Sequence, residues 1–396
     1  MSNNKNTKPE TKKIGEGGFG CVFHPAVTCN GKVDNSQKKD EYVSKIQKLD
    51  PNSQNEIEIS KVISKISGYE KHFAPILEAC DVGISKINEN IISQCEAYEK
   101  YQHQSQLSIF KMKYINNISL TEAIIKKNKK NKSNILADYF ECYRYLLSSL
   151  EMLEKAGIVH FDFKSENVIY DKNKNIPIII DFGLSFFTNS SKYGGSEKLG
   201  EHVFYVYEPK YYLWPIEVHF ANMLRHKYVN IDEMPSVSEV HTMCLEYVNN
   251  CRGFSLFSDK FKSRYAESAV GFLKKYLKME KKKAIKDILT YGKTWDNYAL
   301  GIAFLRIMHH FFDKGFPKNQ LIIKFSQLLL INCHPDPTQR LSIVKTFNKF
   351  KEVFITDEKV SNYVNMLNAV GSNDEIIKSI KSDQKELTTM REEMKK

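Results

Sequence analysis

Residues 158–167 read Ile-Val-His-Phe-Asp-Phe-Lys-Ser-Glu-Asn, and Asp181-Phe182-Gly183 begins nineteen residues after Asp162 (181 minus 162). A carboxylate, an ammonium group and an amide therefore stand close together in the chain, on Asp162, Lys164 and Asn167. Groups of these kinds bind phosphates and hard metal ions. The segment is thus the first candidate for a functional site.

From about Asn117 onwards the chain is predicted to be mainly helical. Apolar residues recur at three- and four-residue steps across 135–153, which predicts one long amphipathic helix. Short apolar runs at 167–170 and 176–180 flank an Asp-Lys-Asn-Lys-Asn turn and predict two strands. Residues 218–292 are mixed helical and basic, and 373–396 alternates charge like a solvated helix.

The first hundred residues indicate a sheet with one helix. The predicted elements are, in chain order, a hairpin at 14–23, a third strand at 42–46, a helix capped by Asn52 or Ser53 and ending near Ile66, and strands at 91–95 and 107–115. Polar stretches at 1–11 and 29–41 are predicted to be a disordered leader and a loop.

The predicted hairpin is rich in glycine, with Gly15, Gly17, Gly18 and Gly20 in one short run. The spacing alone is weak evidence, because dinucleotide-binding folds and ordinary turns share it. A dinucleotide fingerprint opens a helix, whereas Cys21-Val22-Phe23 continues here as a strand. A hairpin that brings backbone N–H groups close to phosphates fits better.

Taken in order, these motifs resemble those of eukaryotic-type protein kinases. The shared series consists of the glycine-rich loop, Lys45 on the third strand, a helix glutamate, the loop at 158–167, Asp181-Phe182-Gly183, the stretch 211–217 in place of A-P-E, Asp296 to Gly301, and Asp336 to Arg340. The resemblance covers about residues 14–345. It implies that Arg340 pairs with Glu217.

The resemblance implies an α+β, bilobal fold with a small antiparallel-sheet lobe and a larger, mainly helical lobe. The expected parts are a leader at 1–11, an ATP-binding lobe at 12–115, a second lobe with catalytic and activation segments at 116–217, an insertion at 218–292, the rest of the second lobe at 293–350, and a helical tail at 351–396.

The resemblance also assigns nucleotide contacts. The expected ATP-binding residues are Gly15, Gly17, Gly18, Gly20, Val22, Lys45, Glu56, Met112, Lys113 and Ile115. Glu56 is expected to pair with Lys45, with Glu58 as the alternative. Met112 would be the gatekeeper, while the backbone of Lys113 and Ile115 would bind adenine. Ser44 stands where the family has alanine.

The catalytic residues implied in this way are Asp162, Lys164 and Asn167. Asp162 would orient the substrate hydroxyl and accept its proton, and Lys164 would neutralise the transferring phosphate. Asn167 and Asp181 would bind Mg²⁺ or Mn²⁺ through oxygen atoms. Lys164 matches the lysine of serine/threonine-specific members.

Two departures from the family pattern stand out. Phe161 replaces the arginine of the H-R-D motif, so the usual link from the catalytic loop to a phosphate on the activation segment is missing. Glu217 and Asp296 are separated by seventy-eight residues (296 minus 217, minus 1), where the family has a short connection. The Trp-Pro-Ile-Glu form and the Lys, Asn and Ile content resemble kinases of large DNA viruses.

Composition limits the classes of protein. The chain has 396 residues and a net charge of +11 (58 minus 47), and lysine makes up most of the basic residues, so charge alone does not favour nucleic-acid binding. Polar residues interrupt the longest apolar stretch, and the N-terminus has no apolar run, so neither a membrane span nor a secretory signal is expected. The eight cysteines include no C-x-x-C pair, so we expect buried thiols rather than zinc ligands or disulfides. A cytoplasmic or other reducing intracellular location follows.

The sequence therefore predicts a serine/threonine protein kinase that uses ATP and magnesium, with a protein as substrate. The alternative is a pseudokinase that serves as a nucleotide-binding scaffold or allosteric module. The aromatic residues of 218–292 favour a helical replacement for large-lobe elements, because an aromatic stripe at helical spacing is more often core than contact surface. The alternative is that the basic residues there, with the run Lys281-Lys282-Lys283, dock an acidic protein partner.

Overall fold

A computed structural model describes residues 10–17, 20–96, 105–126, 132–230, 233–312 and 320–355, together with 382–383, 385–387, 389–390 and 394. The chain divides into two compact units. The first comprises Met1–Asn117, Asp171–Lys174 and Ile178–Ser185, and the second comprises Ile118–Tyr170, Asn175–Pro177 and Phe186–Lys396. The leader predicted at 1–11 lies largely outside the described residues, as does most of the tail predicted at 351–396.

The first unit is built on a five-stranded antiparallel sheet in the order β1-β2-β3-β5-β4. Its strands are β1 (Lys12–Gly17), β2 (Gly20–His24), β3 (Tyr42–Lys48), β4 (Glu78–Gly83) and β5 (Gln106–Lys113). Lys45 lies opposite Val22 on one side and Phe110 on the other. The central position of β3 therefore fixes the lysine in the middle of the sheet.

Helix α1 (Pro51–Ile63) follows the third strand. It starts two to three residues earlier than predicted, because Asp50 and not Asn52 or Ser53 is its N-cap. The Asp50 side chain accepts a hydrogen bond from the Ser53 backbone N–H at 2.9 Å, and Asp50 N–H donates to Ser53 Oγ at 3.0 Å. Such a reciprocal box satisfies two of the free N–H groups at a helix start.

The strand predicted at 91–95 is wrong. Residues Glu89–Ile92 form the short helix α2, capped by Asn88, and the sheet takes its fourth strand from Glu78–Gly83 instead. Ile91 and Ile92 are both buried. A short apolar run of this kind does not by itself distinguish a strand from a helix.

The expectation of no disulfides is also wrong. Cys21 is bonded to Cys95, and Cys29 to Cys80, across sequence separations of 74 and 51 residues. Partners so far apart carry no local spacing signal, and only the folded sheet brings them together. The other four cysteines, Cys142, Cys244, Cys251 and Cys333, are buried free thiols as predicted.

The second unit is mainly helical. Its helices are α3 (Leu120–Lys126), α4 (Lys132–Lys155), α5 (Ser196–Val203), α6 (Ile216–His226), α7 (Val237–Asn250), α8 (Asp259–Leu273), α9 (Lys281–Leu289), α10 (Trp295–Phe311), α11 (Gln320–Asn332) and α12 (Ile343–Ile355). The remaining short strands of the chain are β6 (Asn117–Ser119), β7 (Ile158–Val159), β8 (Val168–Asp171), β9 (Ile176–Ile179) and β10 (Phe186–Phe187). Of these, β7 and β10 belong wholly to the second unit, whereas Asn117, Asp171 and the last two residues of β9 are counted with the first. The α+β prediction is confirmed.

Helices α4 and α10 form the centre of this unit. Tyr139 and Tyr143 of α4 pack against Phe304 of α10 with ring centroids 5.0 and 5.1 Å apart. The Tyr139 hydroxyl donates to the Phe304 carbonyl at 2.6 Å, which satisfies a polar group inside an apolar core. None of the described helices has the length and apolar content needed to cross a membrane.

Residues 218–292 fold as the end of α6 followed by α7, α8 and α9, and their aromatic side chains enter the core. Phe254, Tyr265 and Tyr276 are all buried. The lysine run does not form one exposed face. Lys281 is buried and donates to the backbone carbonyls of Tyr228 and Asn230, whereas Lys282 and Lys283 are exposed.

Candidate active site

The described glycines of the glycine-rich run lie on the paired strands β1 and β2. Gly17 lies opposite Gly20, and Gly15 lies opposite Val22. A Cβ atom on Gly20 would come within 2.0 Å of the Ile46 carbonyl oxygen, so only glycine fits there. Gly18 lies outside the described residues.

Lys45 is the centre of a buried charge cluster in the first unit. Its Nζ lies 3.2 Å from Glu56 Oε2 and 3.2 Å from Asp181 Oδ1. Burial alone would lower the pKa of Lys45, but the charges of Asp181 and Glu56 outweigh it and raise that pKa. The lysine is therefore a protonated cation shared by two carboxylates.

The two glutamates considered as partners of Lys45 differ in position. Glu56 is buried on the inner face of α1, while Glu58 is on the exposed face and pairs with Lys61 at 2.6 Å. The structure thus brings Glu56, and not Glu58, to Lys45. Gln47 Nε2 also lies 3.5 Å from Glu56 Oε2, next to the lysine contact.

Asp181 reaches this cluster through an unusual backbone conformation. Its φ is 63°, in the left-handed region that costs a non-glycine residue free energy. The following Phe182 is buried against Phe73 with ring centroids 6.2 Å apart. Asn55 of α1 donates to the Ser185 carbonyl at 2.7 Å. The anchored residues after Asp181 hold its carboxylate near Lys45.

The predicted adenine-binding residues lie at the end of β5. Met112 is opposite Val43, Lys113 closes the strand, and Ile115 follows it half-buried. Ser44, which departs from the family's alanine, accepts a hydrogen bond from Val27 N–H at 2.8 Å through its buried hydroxyl. The hydroxyl therefore ties β3 to the loop after β2.

In the second unit, Asp162 is held by three side chains. It is only 1% exposed, and its Oδ1 accepts from the Tyr211 hydroxyl at 2.5 Å. Asn167 Nδ2 donates to Oδ2 at 2.8 Å, and Lys164 Nζ lies 3.3 Å from the same oxygen. An ionised carboxylate only accepts hydrogen bonds, which fits three donors around it. The structure brings all three predicted catalytic residues together.

The backbone before Asp162 is fixed by Asp296 at the start of α10. Its carboxylate accepts from His160 N–H at 2.7 Å and from Phe161 N–H at 2.9 Å. Burial raises the pKa of Asp296, although the two N–H donors and His160 oppose this shift. Phe161 itself has a left-handed φ of 65°. The two hydrogen bonds hold the strained turn from which Asp162 projects.

Phe161 enters an aromatic cluster that we define as Phe161, Phe186, Trp214 and Trp295. The Phe161 ring stacks on Trp214 at 4.9 Å with an interplanar angle of 13°, and it lies 5.5 Å from Phe186 and 5.3 Å from Trp295. Trp214 Nε1 also donates to the Phe161 carbonyl at 2.8 Å. Phe161 is therefore held by apolar packing at the position where the resemblance leads us to expect an arginine.

Glu217 and Arg340 form the ion pair that the resemblance implies. The two Arg340 terminal nitrogens lie 2.6 and 2.9 Å from the Glu217 carboxylate oxygens. Both side chains are 0% exposed, and Trp295 Nε1 donates to Glu217 Oε1 at 3.1 Å. A bidentate pair with further donors is the arrangement that offsets the cost of burying two charges.

Sequence reasoning missed the role of Tyr211. The resemblance identifies the stretch 211–217 as the counterpart of A-P-E, but no sequence pattern links its first tyrosine to Asp162. Tyr211 is buried, and its carbonyl contacts His219 Nε2 at 3.1 Å and accepts from Trp214 N–H at 3.2 Å. The one sequence signal for the contact between Tyr211 and Asp162 is the presence of a tyrosine hydroxyl in that stretch.

The family model described as "Protein kinase domain" matches residues 9–285, which is more than half of the chain. Asp296 and Arg340 lie beyond that match, yet they bond His160, Phe161 and Glu217 within it. Residues past the matched region therefore take part in holding the backbone before Asp162 and in pairing Glu217.

Several curated proteins are similar to parts of the chain. It is 34% identical over 110 residues to the probable serine/threonine-protein kinase fnkB of Dictyostelium discoideum, covering 27% of this chain and 19% of that protein. It is 27% identical over 172 residues to serine/threonine-protein kinase D of Synechocystis sp., covering 43% and 29%. It is 38% identical over 94 residues to the human hormonally up-regulated neu tumor-associated kinase, covering 20% and 13%. The chain spans less than a third of the length of each of these relatives.

Proposed function

The chain belongs to the protein kinase family, and on that premise we propose that it transfers the γ-phosphate of ATP to serine and threonine hydroxyls of proteins. The observation that carries the proposal is the set of contacts around Asp162. Its buried carboxylate contacts Tyr211, Asn167 and Lys164, and a general base needs to be fixed in this way, so these contacts support the proposal. In this role Asp162 orients the substrate hydroxyl and accepts its proton.

The ion pairs of Lys45 support nucleotide binding. A lysine kept protonated by Glu56 and Asp181 provides a fixed positive charge for the phosphates of ATP. The glycines of β1 and β2 lie on the neighbouring hairpin, where glycine allows a phosphate to approach the backbone closely. These groups supply binding and orientation, the main contributions a protein makes to phosphoryl transfer.

The chemistry of two side chains fits a magnesium ion. Asp181 offers a carboxylate whose side chain is 21% exposed, and Asn167 donates through Nδ2 to Asp162, so its amide oxygen is the atom oriented away from that bond. These two residues would hold Mg²⁺ or Mn²⁺, which when bound neutralises charge on the phosphates. Both are oxygen donors, as hard cations prefer.

The preference for serine and threonine rests on Lys164 and on the relatives' names. Lys164 is buried beside Asp162, where its charge can offset that of the transferring phosphate. Two of the similar proteins are named as serine/threonine-protein kinases. We carry that substrate class to this chain on both grounds.

A pseudokinase is the second candidate function, and one assay separates the two. We expect the purified chain to transfer labelled phosphate from Mg-ATP to a generic protein substrate. Asp162→Asn should lower turnover by roughly 10² or more, because it removes the proton acceptor. Thermal stabilisation by Mg-ATP, measured on the same samples, should persist in the variant.

The outcomes are distinct. No transfer by either protein, with Mg-ATP still bound, would establish the pseudokinase. Equal turnover of the variant and the unaltered chain would show that Asp162 is not the base. Asp181→Ala serves as the matched comparison, since it should abolish the magnesium-dependent stabilisation itself.

A further inference from the structure

A C-terminal segment, which we define as residues 382–383 and 385–387, forms part of the second unit. Its Leu387 is only 1% exposed, so apolar burial anchors the segment. Glu386 Oε2 lies 2.7 Å from Arg252 Nη2 at the turn after α7, but these side chains are 39% and 47% exposed, so the pair is weak. These two contacts seat the segment within the helical unit.

Asp383 of this segment contacts two basic side chains of α10. Its Oδ2 accepts a hydrogen bond from Arg306 Nε at 3.1 Å, and His310 Nε2 lies 3.3 Å from the same oxygen. Both basic side chains are buried. Burial alone would raise the pKa of Asp383, but the hydrogen bonds and charges of His310 and Arg306 outweigh it and hold that pKa at about 2. Asp383 is therefore an ionised counter-ion for the buried guanidinium.

The same guanidinium faces the catalytic loop on its other side. Arg306 Nη1 lies 4.0 Å from Glu166 Oε1, which is beyond hydrogen-bond distance. Among the residues that the structure describes, Arg306 forms salt bridges with Asp383 and Glu166 alone. The arginine thus stands between two carboxylates, bonded to Asp383 and only attracted by Glu166.

Glu166 belongs to the turn that completes the catalytic site. It lies in the short turn Ser165–Asn167, and Asn167 Nδ2 donates to Asp162 Oδ2 at 2.8 Å. Asp296, at the start of α10, holds the backbone before Asp162. Arg306 follows Asp296 by ten residues (306 minus 296), or about 15 Å along the helix. Helix α10 therefore approaches the loop on both sides of Asp162.

We propose that Asp383 is a positioning residue for the catalytic loop, on which it acts through Arg306 and Glu166. The proposal rests on the proposed kinase function, since it concerns the loop that carries Asp162. While Asp383 binds the guanidinium, Glu166 stays at 4.0 Å, and the turn Ser165–Asn167 keeps its place beside Asp162. The C-terminal segment thereby contributes to the site without touching substrate or nucleotide.

Loss of the Asp383 carboxylate changes the balance around Arg306. A buried charge that has lost its partner is costly, so the guanidinium and Glu166 should close the gap between them. This movement draws the turn Ser165–Asn167 toward α10. Asn167 then moves relative to Asp162, which alters both the hydrogen bond to the base and the amide oxygen available to a metal ion.

The kinetic test uses Asp383→Asn, which removes the charge with little change in size. We expect kcat to fall on the order of tenfold with the KM for ATP nearly unchanged, because the loop is displaced while the nucleotide contacts are kept. The magnesium concentration for half-maximal turnover should rise. Glu386→Gln is the matched control, since it removes a carboxylate of the same segment whose ion pair is exposed.

A double-mutant cycle separates positioning from general destabilisation. The Asp383→Asn substitution is repeated in a chain that carries Glu166→Gln. If Asp383 acts through Glu166, the second substitution should change kcat little, because the neutral side chain no longer attracts Arg306. An equal fall of kcat in both backgrounds would overturn the proposed route.

Hydrogen exchange provides a readout that does not depend on catalysis. Exchange in the turn Ser165–Asn167, measured by mass spectrometry, should be faster in Asp383→Asn than in Glu386→Gln. Equal exchange in α8 shows that both variants are folded. Asp383→Glu keeps the charge and should restore slow exchange in the turn.

The outcomes for the two proposals are distinct. Equal exchange of the turn in Asp383→Asn and Glu386→Gln, with equal kcat, would overturn the positioning role. A clear difference in exchange, with no phosphate transfer by any form of the chain, would refute the proposed kinase function and leave the coupling between Asp383 and the loop established.

Discussion

The two units hold their functional carboxylates in different ways. Asp181 of the first unit is partly exposed and lies in a cluster of charges, where Lys45 is shared with Glu56. Asp162 of the second unit is almost fully buried, and a tyrosine, an asparagine and a lysine surround it. One carboxylate depends on charge balance and the other on packing and hydrogen bonds.

The two units also differ in the interactions that stabilise the structure around each carboxylate. In the first unit two disulfides join β2 and the loop after it to β4 and the segment after α2. In the second unit the aromatic cluster and the Glu217–Arg340 pair lie behind the catalytic loop. The comparison suggests that the second unit couples its site to its stability more closely.

The largest effect is expected from Arg340→Ala. Removing the arginine leaves Glu217 as a buried, unpaired charge, so the second unit should lose about 3–5 kcal/mol of stability. Denaturant unfolding followed by tryptophan fluorescence measures this, because Trp214 and Trp295 both lie in this unit. Arg264→Ala, at an exposed position, is the control and should have little effect. If both variants lost a similarly small amount of stability, the ion pair would not be a main source of stability in the second unit, and the contrast between the units would fail.

The next effect concerns the disulfides of the first unit. Replacing Cys29 and Cys80 by alanine should destabilise that unit by about 2–4 kcal/mol, because the bond closes a long loop of chain. Thiol titration of the denatured, unreduced protein provides the direct check. Four of the eight cysteines should react, corresponding to the four free thiols. Eight reactive thiols would mean that the bonds do not form.

Tyr211→Phe should have a smaller effect, confined to catalysis. Loss of the hydroxyl removes one donor from Asp162, so kcat should fall on the order of tenfold with the KM for ATP unchanged. Tyr212→Phe, the adjacent buried tyrosine, is the matched control. Normal turnover of Tyr211→Phe, equal to that of Tyr212→Phe, would show that Tyr211 does not position the base.

The smallest effect is expected from phosphatase treatment. Because Phe161 and its aromatic neighbours replace the arginine, basal activity should not require phosphate on the activation-segment candidates Ser185, Thr188, Ser190 or Ser191. Activity is compared before and after treatment. A fall to near zero that rephosphorylation reverses would contradict the prediction and show that charge, and not packing, organises the second unit.

The sequence was most informative where function demands a fixed residue type in a fixed order. Lys45, Asp162, Asn167 and Asp181 could be selected as candidates because the motifs that contain them follow the order of the protein kinase family. The structure brings each of them to a defined network. The long helix α4 was also predictable, since its apolar period is sustained over many residues.

Features that depend on distant parts of the chain were not predictable. The cysteine pairs span 51 and 74 residues, and nothing in the local sequence of Cys29 or Cys80 selects a partner. The burial of Lys281 could not be predicted either, because a run of three lysines suggests an exposed face. In the structure, the ammonium group of Lys281 donates to the carbonyls of Tyr228 and Asn230. Tertiary contacts decide such cases.

The reach of Asp296 and Arg340 has a practical consequence for shortened forms of the protein. A chain ending at residue 285 would keep the matched family region and every predicted nucleotide and catalytic residue. It would lose the carboxylate that fixes the His160 and Phe161 backbone, and also the guanidinium that neutralises Glu217. Expression of that truncated chain should therefore yield aggregated or inactive material, and the boundary for a working fragment has to lie beyond Arg340.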